Sequence, residues 1–169
     1  MSFDMEMEEY QEDLKMRAGP HRCLVTGGAG FVGTNLVKRL LKDGHEVIVF
    51  DNYSTGFRDN QIDGVRYGDV DIRDSFSNWV EDVDIIFHMA ALPRIGPSFE
   101  NPTGVVDVNV RGTVNVLEYA RLNEIPVIYA GSSSYHGGVY KNPYTFSKWQ
   151  GEELCKMYSE IFDVPTTIC

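Results

Sequence analysis

No stretch of the 169-residue chain stays apolar long enough to cross a membrane. The first residues lack a basic segment followed by an apolar core, so they do not read as a secretory signal. Cysteine is scarce: Cys23, Cys155 and Cys169 make an odd count without metal-ligand spacing. They read as reduced thiols of a cytoplasmic protein, and no metal site is expected. Basic residues are outnumbered, 15 Lys and Arg against 25 Asp and Glu, for a net charge of −10. That balance speaks against a nucleic-acid partner, which needs a basic face. Any anionic ligand has to be held by backbone N–H groups and a few local cations. Internal repeats and low-complexity segments are absent as well.

What is present is an alternation of short Val- and Ile-rich runs with helical patterns. The runs RCLVTG, EVIVFD, GVRYGDV, DIIFHMAA, PVIYAGSS and VPTTIC read as six strands. Between them, Phe31 to Asp43 carries Val32, Leu36 and Leu40 at helical spacing. A short helix is expected around Ser75–Glu81. A long helix is expected over Thr103–Arg121, with Val106, Val110, Val114 and Leu117 as its stripe. The last helix starts at Asn142, a good N-cap, with Pro143 in its first turn. Its apolar stripe is Leu154, Met157, Tyr158 and Ile161. Such strands are buried on both faces, which predicts an α/β Rossmann-type, doubly wound parallel sheet in the order 3-2-1-4-5-6. Residues 1–19 stand apart as an extension with six acids and two bases. Residues 20–169 are expected to form the single Rossmann-type domain.

The segment TGGAGFVG, Thr26 to Gly33, follows the first strand and opens a helix. In that context Gly27, Gly30 and Gly33 allow a tight turn, close approach of a pyrophosphate, and close packing of helix on sheet. The N–H groups at the helix start, around Phe31 and Val32, face the phosphates. Asp51 ends the second strand 18 residues after Gly33. A carboxylate there suits the ribose hydroxyls of NAD and repels a 2′-phosphate. The nearby Arg58 keeps NADP as a minor alternative.

Tyr144 and Lys148 lie one helical turn apart. An ammonium ion beside a phenol favours phenolate, which a tyrosine needs if it is to act as a base near neutral pH. The other reading, an ordinary surface pair, loses ground once the glycine loop and Asp51 are taken with it.

With these parts in place, the sequence resembles the extended short-chain dehydrogenase/reductases. More narrowly, it is similar to the NAD-dependent nucleotide-sugar epimerase/dehydratase family. The matching stretches are VTGGAGFVG, DNYSTG, DIRD, HMAA, NVRGT, AGSSS and YTFSK, in the family's order, from about residue 21 to 169. The resemblance implies that Asp51 and Asn52 hold the adenine ribose, with Ser54, Thr55 and Gly56 near it. Asp71 and Ile72 would flank the adenine, with Asp69–Val70 as a competing register. Ala90, Ala91 and Leu92 would pass beneath the cofactor, and Asn109 would order the active-site strand. Ser132, Tyr144 and Lys148 would be catalytic, Tyr144 as the base.

Ser133 and Ser134 stand where dehydratases of the family carry an acidic residue, which points to 4-epimerisation of a UDP-sugar through a transient 4-keto intermediate. A dehydratase or reductase reaction stays an alternative. Two departures bear on the sugar site: Tyr135-His136-Gly137 replaces Val-Tyr-Gly, and Tyr144 follows Ser132 by only 12 positions. The family adds a C-terminal substrate domain, whereas this chain stops inside the sixth strand. A catalytically silent NAD-binding module is therefore the second expectation. The resemblance also implies a homodimer through the 103–121 and 144–162 helices.

Overall fold

The computed structural model describes residues 19–74 and 82–169. The acidic extension, except for its last residue, and the helix expected around 75–81 lie outside the described residues. The strands are β1 (Arg22–Thr26), β2 (Glu46–Asp51), β3 (Arg66–Asp69), β4 (Ile85–His88), β5 (Val127–Tyr129) and β6 (Thr166–Ile168). They form one parallel sheet in the order β3-β2-β1-β4-β5-β6.

The order reverses direction between β1 and β4, so a crevice opens beyond the carboxyl ends of these two strands. Alternating strand side chains feed two cores. Cys23, Val25, Val47 and Val49 pack beneath helix α1 (Phe31–Lys42) through Val37 and Leu40. On the opposite face Leu24, Ile48, Ile86, Val127 and Tyr129 meet Val116, Leu117, Cys155 and Tyr158. These last four come from α4 (Gly112–Asn123) and α5 (Pro143–Phe162).

Two elements were not foreseen. Helix α2 (Ile95–Glu100) follows β4, and the expected long helix is built in three parts. It runs as α3 (Pro102–Val106), a π-helical turn at Asp107–Arg111, and then α4. Asn101 caps α3 by accepting the Gly104 N–H at 3.0 Å. Asn142 caps α5 as expected, accepting the Thr145 N–H at 2.8 Å ahead of Pro143.

Three expected apolar stripes need correction. Val32 is 62% exposed, whereas Leu40 is buried and Leu36 packs against the core as expected, with Gly33, Thr34 and Val37 completing the inner face of α1. On the composite helix Val106 is exposed, while the buried line is Val105, Asn109, Gly112, Thr113, Val116, Leu117 and Ala120. On α5, Met157 and Ile161 are exposed, and the inner face is Thr145, Ser147, Lys148, Gly151, Glu152, Cys155 and Tyr158. In the last two cases the inward face is partly polar, because it borders the crevice.

Candidate functional site

The glycine loop joins β1 to α1 at the mouth of the crevice. Gly27 has φ +71°, and a Cβ placed on it would lie 2.7 Å from the Ala90 backbone. A Cβ on Gly33 would strike the Gly27 carbonyl and lie 2.7 Å from the Gly28 Cα. The loop is thus folded against β4 and its own helix, with room for backbone only. The first-turn N–H groups of α1 have no carbonyl one turn back inside the helix. The Phe31 and Val32 side chains stand out into solvent, so these N–H groups and the helix dipole are open to an anion.

Asp51 is buried at the end of β2 and accepts the Ala29 N–H at 2.9 Å and the Tyr53 N–H at 2.8 Å. Each oxygen keeps lone pairs for a diol. Gly56 is buried against it, since a Cβ there would lie 3.1 Å from Asp51 Oδ1. Asn52 joins this turn to the next strand end. Its amide donates to Asp71 Oδ2 at 2.8 Å, and its carbonyl accepts the Ser54 N–H at 3.0 Å. Ser54 and Thr55 are exposed at the rim.

Asp71 also receives Arg73 through Nε at 2.9 Å and Nη2 at 2.7 Å. These bonds hold its carboxyl well below the usual range. Ile72 is buried, pressed against Gly112, and its carbonyl accepts from Asn115 at 3.0 Å. Its side chain and carbonyl are thus taken up inside the fold. In the competing register Asp69 is exposed and paired with Arg58 at 2.6 Å, and Val70 lies in the core. Arg58 also covers the Tyr53 ring at 4.0 Å, so it is committed away from a 2′-phosphate.

The floor of the crevice is a chain of buried hydrogen bonds. The Ala90 N–H donates to Thr26 Oγ1 at 3.2 Å, and Thr26 Oγ1 is 2.7 Å from His88 Nδ1. His88 Nε2 lies 3.0 Å from Thr113 Oγ1, whose hydroxyl donates to the Asn109 carbonyl at 2.7 Å. Thr113 spends its proton on Asn109, so His88 carries its own on Nε2 and accepts from Thr26 at Nδ1. Burial, with Lys148 nearby, pushes its pKa down to about 3. The histidine is therefore a neutral strut. Asn109 works on the other side: its Oδ1 accepts the Leu92 N–H at 2.7 Å, and its Nδ2 donates to the Leu92 carbonyl at 3.1 Å and to Ser147 Oγ at 3.0 Å. Ala90, Ala91 and Leu92, half-buried, are thereby fixed as a ledge between β4 and α5.

Beyond β5 the chain turns through Ser132. Its N–H donates to Glu152 Oε1 at 2.9 Å and its hydroxyl to Ser134 Oγ at 2.9 Å. Tyr144 is half-buried in the first turn of α5. Lys148, one turn on, is 5% exposed and lies beside strand β5. Its Nζ donates to Tyr129 Oη at 2.7 Å and to the Ala130 carbonyl at 2.6 Å. Burial lowers its pKa to about 8, partly offset by Glu152. Lys148 is thus held against the strand, one helical turn from Tyr144. Sequence reasoning missed Tyr129 and Glu152. Tyr129 lies 19 residues before Lys148, and no local spacing connects them. Glu152 continues the inner face of α5 one turn beyond Lys148, a position that spacing alone could have flagged.

No described helix is long and apolar enough to cross a membrane. The sequence model of the NAD dependent epimerase/dehydratase family matches residues 23–169. The chain is 34% identical over 167 residues to UDP-glucose 4-epimerase of Mycolicibacterium smegmatis, covering 85% of this chain and 53% of that protein. It is 33% identical over 121 residues to UDP-N-acetyl-alpha-D-glucosaminuronate decarboxylase of Bacillus cytotoxicus, covering 69% and 38%. Among solved structures, Thermus thermophilus UDP-glucose 4-epimerase in complex with NAD superposes with a TM-score of 0.76 at 30% identity, over 87% of this chain and 53% of that one. Bordetella bronchiseptica WbmF in complex with NAD+ gives 0.82 at 28% identity, over 90% and 49%. The chain spans between about a third and about half the length of the curated relatives it matches. A parallel sheet in this order, a backbone-only loop at its switch point, a buried acid at the end of β2 and a matching family sequence together decide the assignment: the chain belongs to the NAD-dependent epimerase/dehydratase family of enzymes.

Proposed function

We propose that this chain is the NAD-binding half of a 4-epimerase that acts on a UDP-sugar through a transient 4-keto sugar. The observation that carries the reading is that Lys148 is anchored at the end of β5, one turn along α5 from Tyr144, with Ser132 tied to the same helix through Glu152. The Asn109-held ledge reaches both sides: Asn109 bonds Leu92 and Ser147 of α5, and the Ala90 backbone lies against Gly27. Gly27, Gly30 and Gly33, with the Phe31 and Val32 N–H groups, would hold the pyrophosphate. Asp51, Asn52 and Gly56 would hold the adenine ribose, with Ser54 and Thr55 at the rim. The Asn52–Asp71 bond supports the Asp71–Ile72 register for the adenine. The ion pair of Arg58 with Asp69 favours NAD over NADP.

Bound NAD supplies the acceptor, and then the donor, of the hydride at the sugar C4. The rest falls to the protein. Tyr144 takes the proton of the C4 hydroxyl and returns it after the keto-sugar has turned over. Lys148 supplies positive charge that favours phenolate, and its third N–H is free for the nicotinamide ribose. Ser132 turns its hydroxyl from Ser134 to the reacting oxygen. Elimination of water has no evident acid here: Ser133 is exposed and Ser134 is bonded to Ser132. The carboxylate that does reach this turn, Glu152, is buried and holds the Ser132 N–H.

Exposed Val106, Leu122, Met157 and Ile161, on the composite helix and on α5, support a homodimer through these helices. A cytoplasmic location agrees with three free thiols. A module that binds NAD without turnover is the second reading, favoured by the commitment of Lys148 to Tyr129 and Ala130. The test is incubation with NAD+ and a panel of UDP- and dTDP-hexoses, followed by separation of the products. A 4-epimer is expected. A 4-keto-6-deoxy product would overturn the epimerase reading, and saturable NAD+ binding without any product would favour the module.

A further inference from the structure

Lys148 is held by a tyrosine, but not by Tyr144. Its Nζ lies 2.7 Å from Tyr129 Oη and 4.0 Å from the Tyr129 ring centroid. Tyr129 is the last residue of β5 and is fully buried. Helix α5 has to make room for this phenol. At Gly151, one turn after Lys148, a Cβ would strike the Tyr129 hydroxyl and lie 2.7 Å from Cζ. On the remaining sides stand Ala130, whose carbonyl takes a second N–H, the His88 ring 5.6 Å from the Tyr129 ring, Thr113, Glu152, Cys155 and the Tyr144 phenol.

We propose that Tyr129 is a positioning residue for Lys148: with Gly151 making space, its hydroxyl fixes the ammonium so that one N–H remains for the cofactor side of the crevice. This rests on the NAD reading for what the third N–H meets, but not for the anchoring. An ammonium has three donors. Tyr129 and Ala130 take two of them from the strand side, and the third points where the strand is not. A lysine stem in solvent samples many rotamers, and anchoring the head removes that freedom before any ligand arrives. Tyr129 is no rival base. It lies out of reach of a ligand, and burial pushes its phenol well above the ordinary range, so it stays protonated.

The test uses Tyr129→Phe, which keeps the ring and removes the hydroxyl. Gly151→Ala is the second variant; it keeps the hydroxyl but displaces it. Lys148 Nζ is titrated by 15N NMR in protein labelled at lysine, and NAD+ affinity is measured across the same pH range. Losing one acceptor of a charged donor moves the lysine midpoint down by about one unit. The midpoint of the NAD+ affinity profile moves with it, and both variants behave alike. A melting temperature that falls while the Lys148 midpoint stays at the wild-type value would overturn the proposal, because it would mean the hydroxyl only packs. Failure of the wild-type chain to bind NAD+ would instead overturn the cofactor reading, and the NMR titration would still decide the anchoring by itself.

Discussion

Lys148→Met should change how stability depends on pH more than it changes stability itself. The Lys148 ammonium is buried, and its pKa falls from the ordinary 10.5 to about 8. At pH values between these two, the unfolded chain binds a proton that the folded chain releases. Stability therefore rises with pH through this window, and the burial cost is fully felt below the folded value. The whole shift corresponds to about 3 kcal/mol, of which about 1.4 kcal/mol is recovered between pH 7 and pH 9. Methionine removes this cost but takes the donor from the Ala130 carbonyl, at about 1–3 kcal/mol, while the Tyr129 hydroxyl keeps Thr113 as a partner. The net change at pH 7 is thus small.

The buried thiols of Cys23 and Cys155, raised to about 11 and about 12, act in the opposite sense above pH 9. They are present in both proteins, so they largely cancel in the difference. Urea unfolding of wild type and variant at pH 7, 8 and 9 gives that difference directly. The wild type should gain about 1.4 kcal/mol on the variant across this range. A flat difference would show that Lys148 titrates normally and is not desolvated.

Gly33→Ala should lower NAD+ affinity by an order of magnitude or more and cost about 1–3 kcal/mol of stability, since its Cβ collides with the loop backbone; calorimetry and denaturant melts read both. Wild-type affinity retained in that variant would show that the loop is not the pyrophosphate cradle. His88→Asn should flatten the acid side of the stability profile. Neutral His88 titrates below its ordinary 6.5, so the wild type loses stability as pH falls below that value, and the variant lacks this slope. Equal slopes in both proteins would contradict the buried neutral strut. Ile161→Lys, at a position 65% exposed on α5, should shift a dimer towards monomer in light scattering. A wild-type monomer at micromolar concentration would remove the dimer reading.

The parts of the fold legible in the sequence were those in which local chemistry and long-range role coincide. Thr26 to Gly33 could be read because glycines are demanded by the turn itself, and Asp51 because it ends an unbroken apolar strand. The strand order followed from handedness, not from any residue. The helix faces misled for a physical reason. An apolar count finds the face that is greasy, whereas here the inward faces carry Asn109, Gly112 and Thr113, and Thr145, Ser147, Lys148 and Glu152. Such residues face inward because they hold the ledge and the lysine. The valines and isoleucines counted as core include outward ones, Val106 and Ile161 among them. Val32 failed in the same way, since the first turn of α1 turns towards solvent. The pairing of Tyr129 with Lys148 was invisible because it is made by sheet topology across 19 residues, with no spacing rule to announce it.

Isothermal calorimetry of NAD+ against the purified chain shows whether this crevice holds NAD. Saturable binding at one NAD+ per chain is predicted, weakened by Asp51→Asn and essentially kept by Tyr144→Phe. No saturable binding, or binding indifferent to Asp51, would contradict the account.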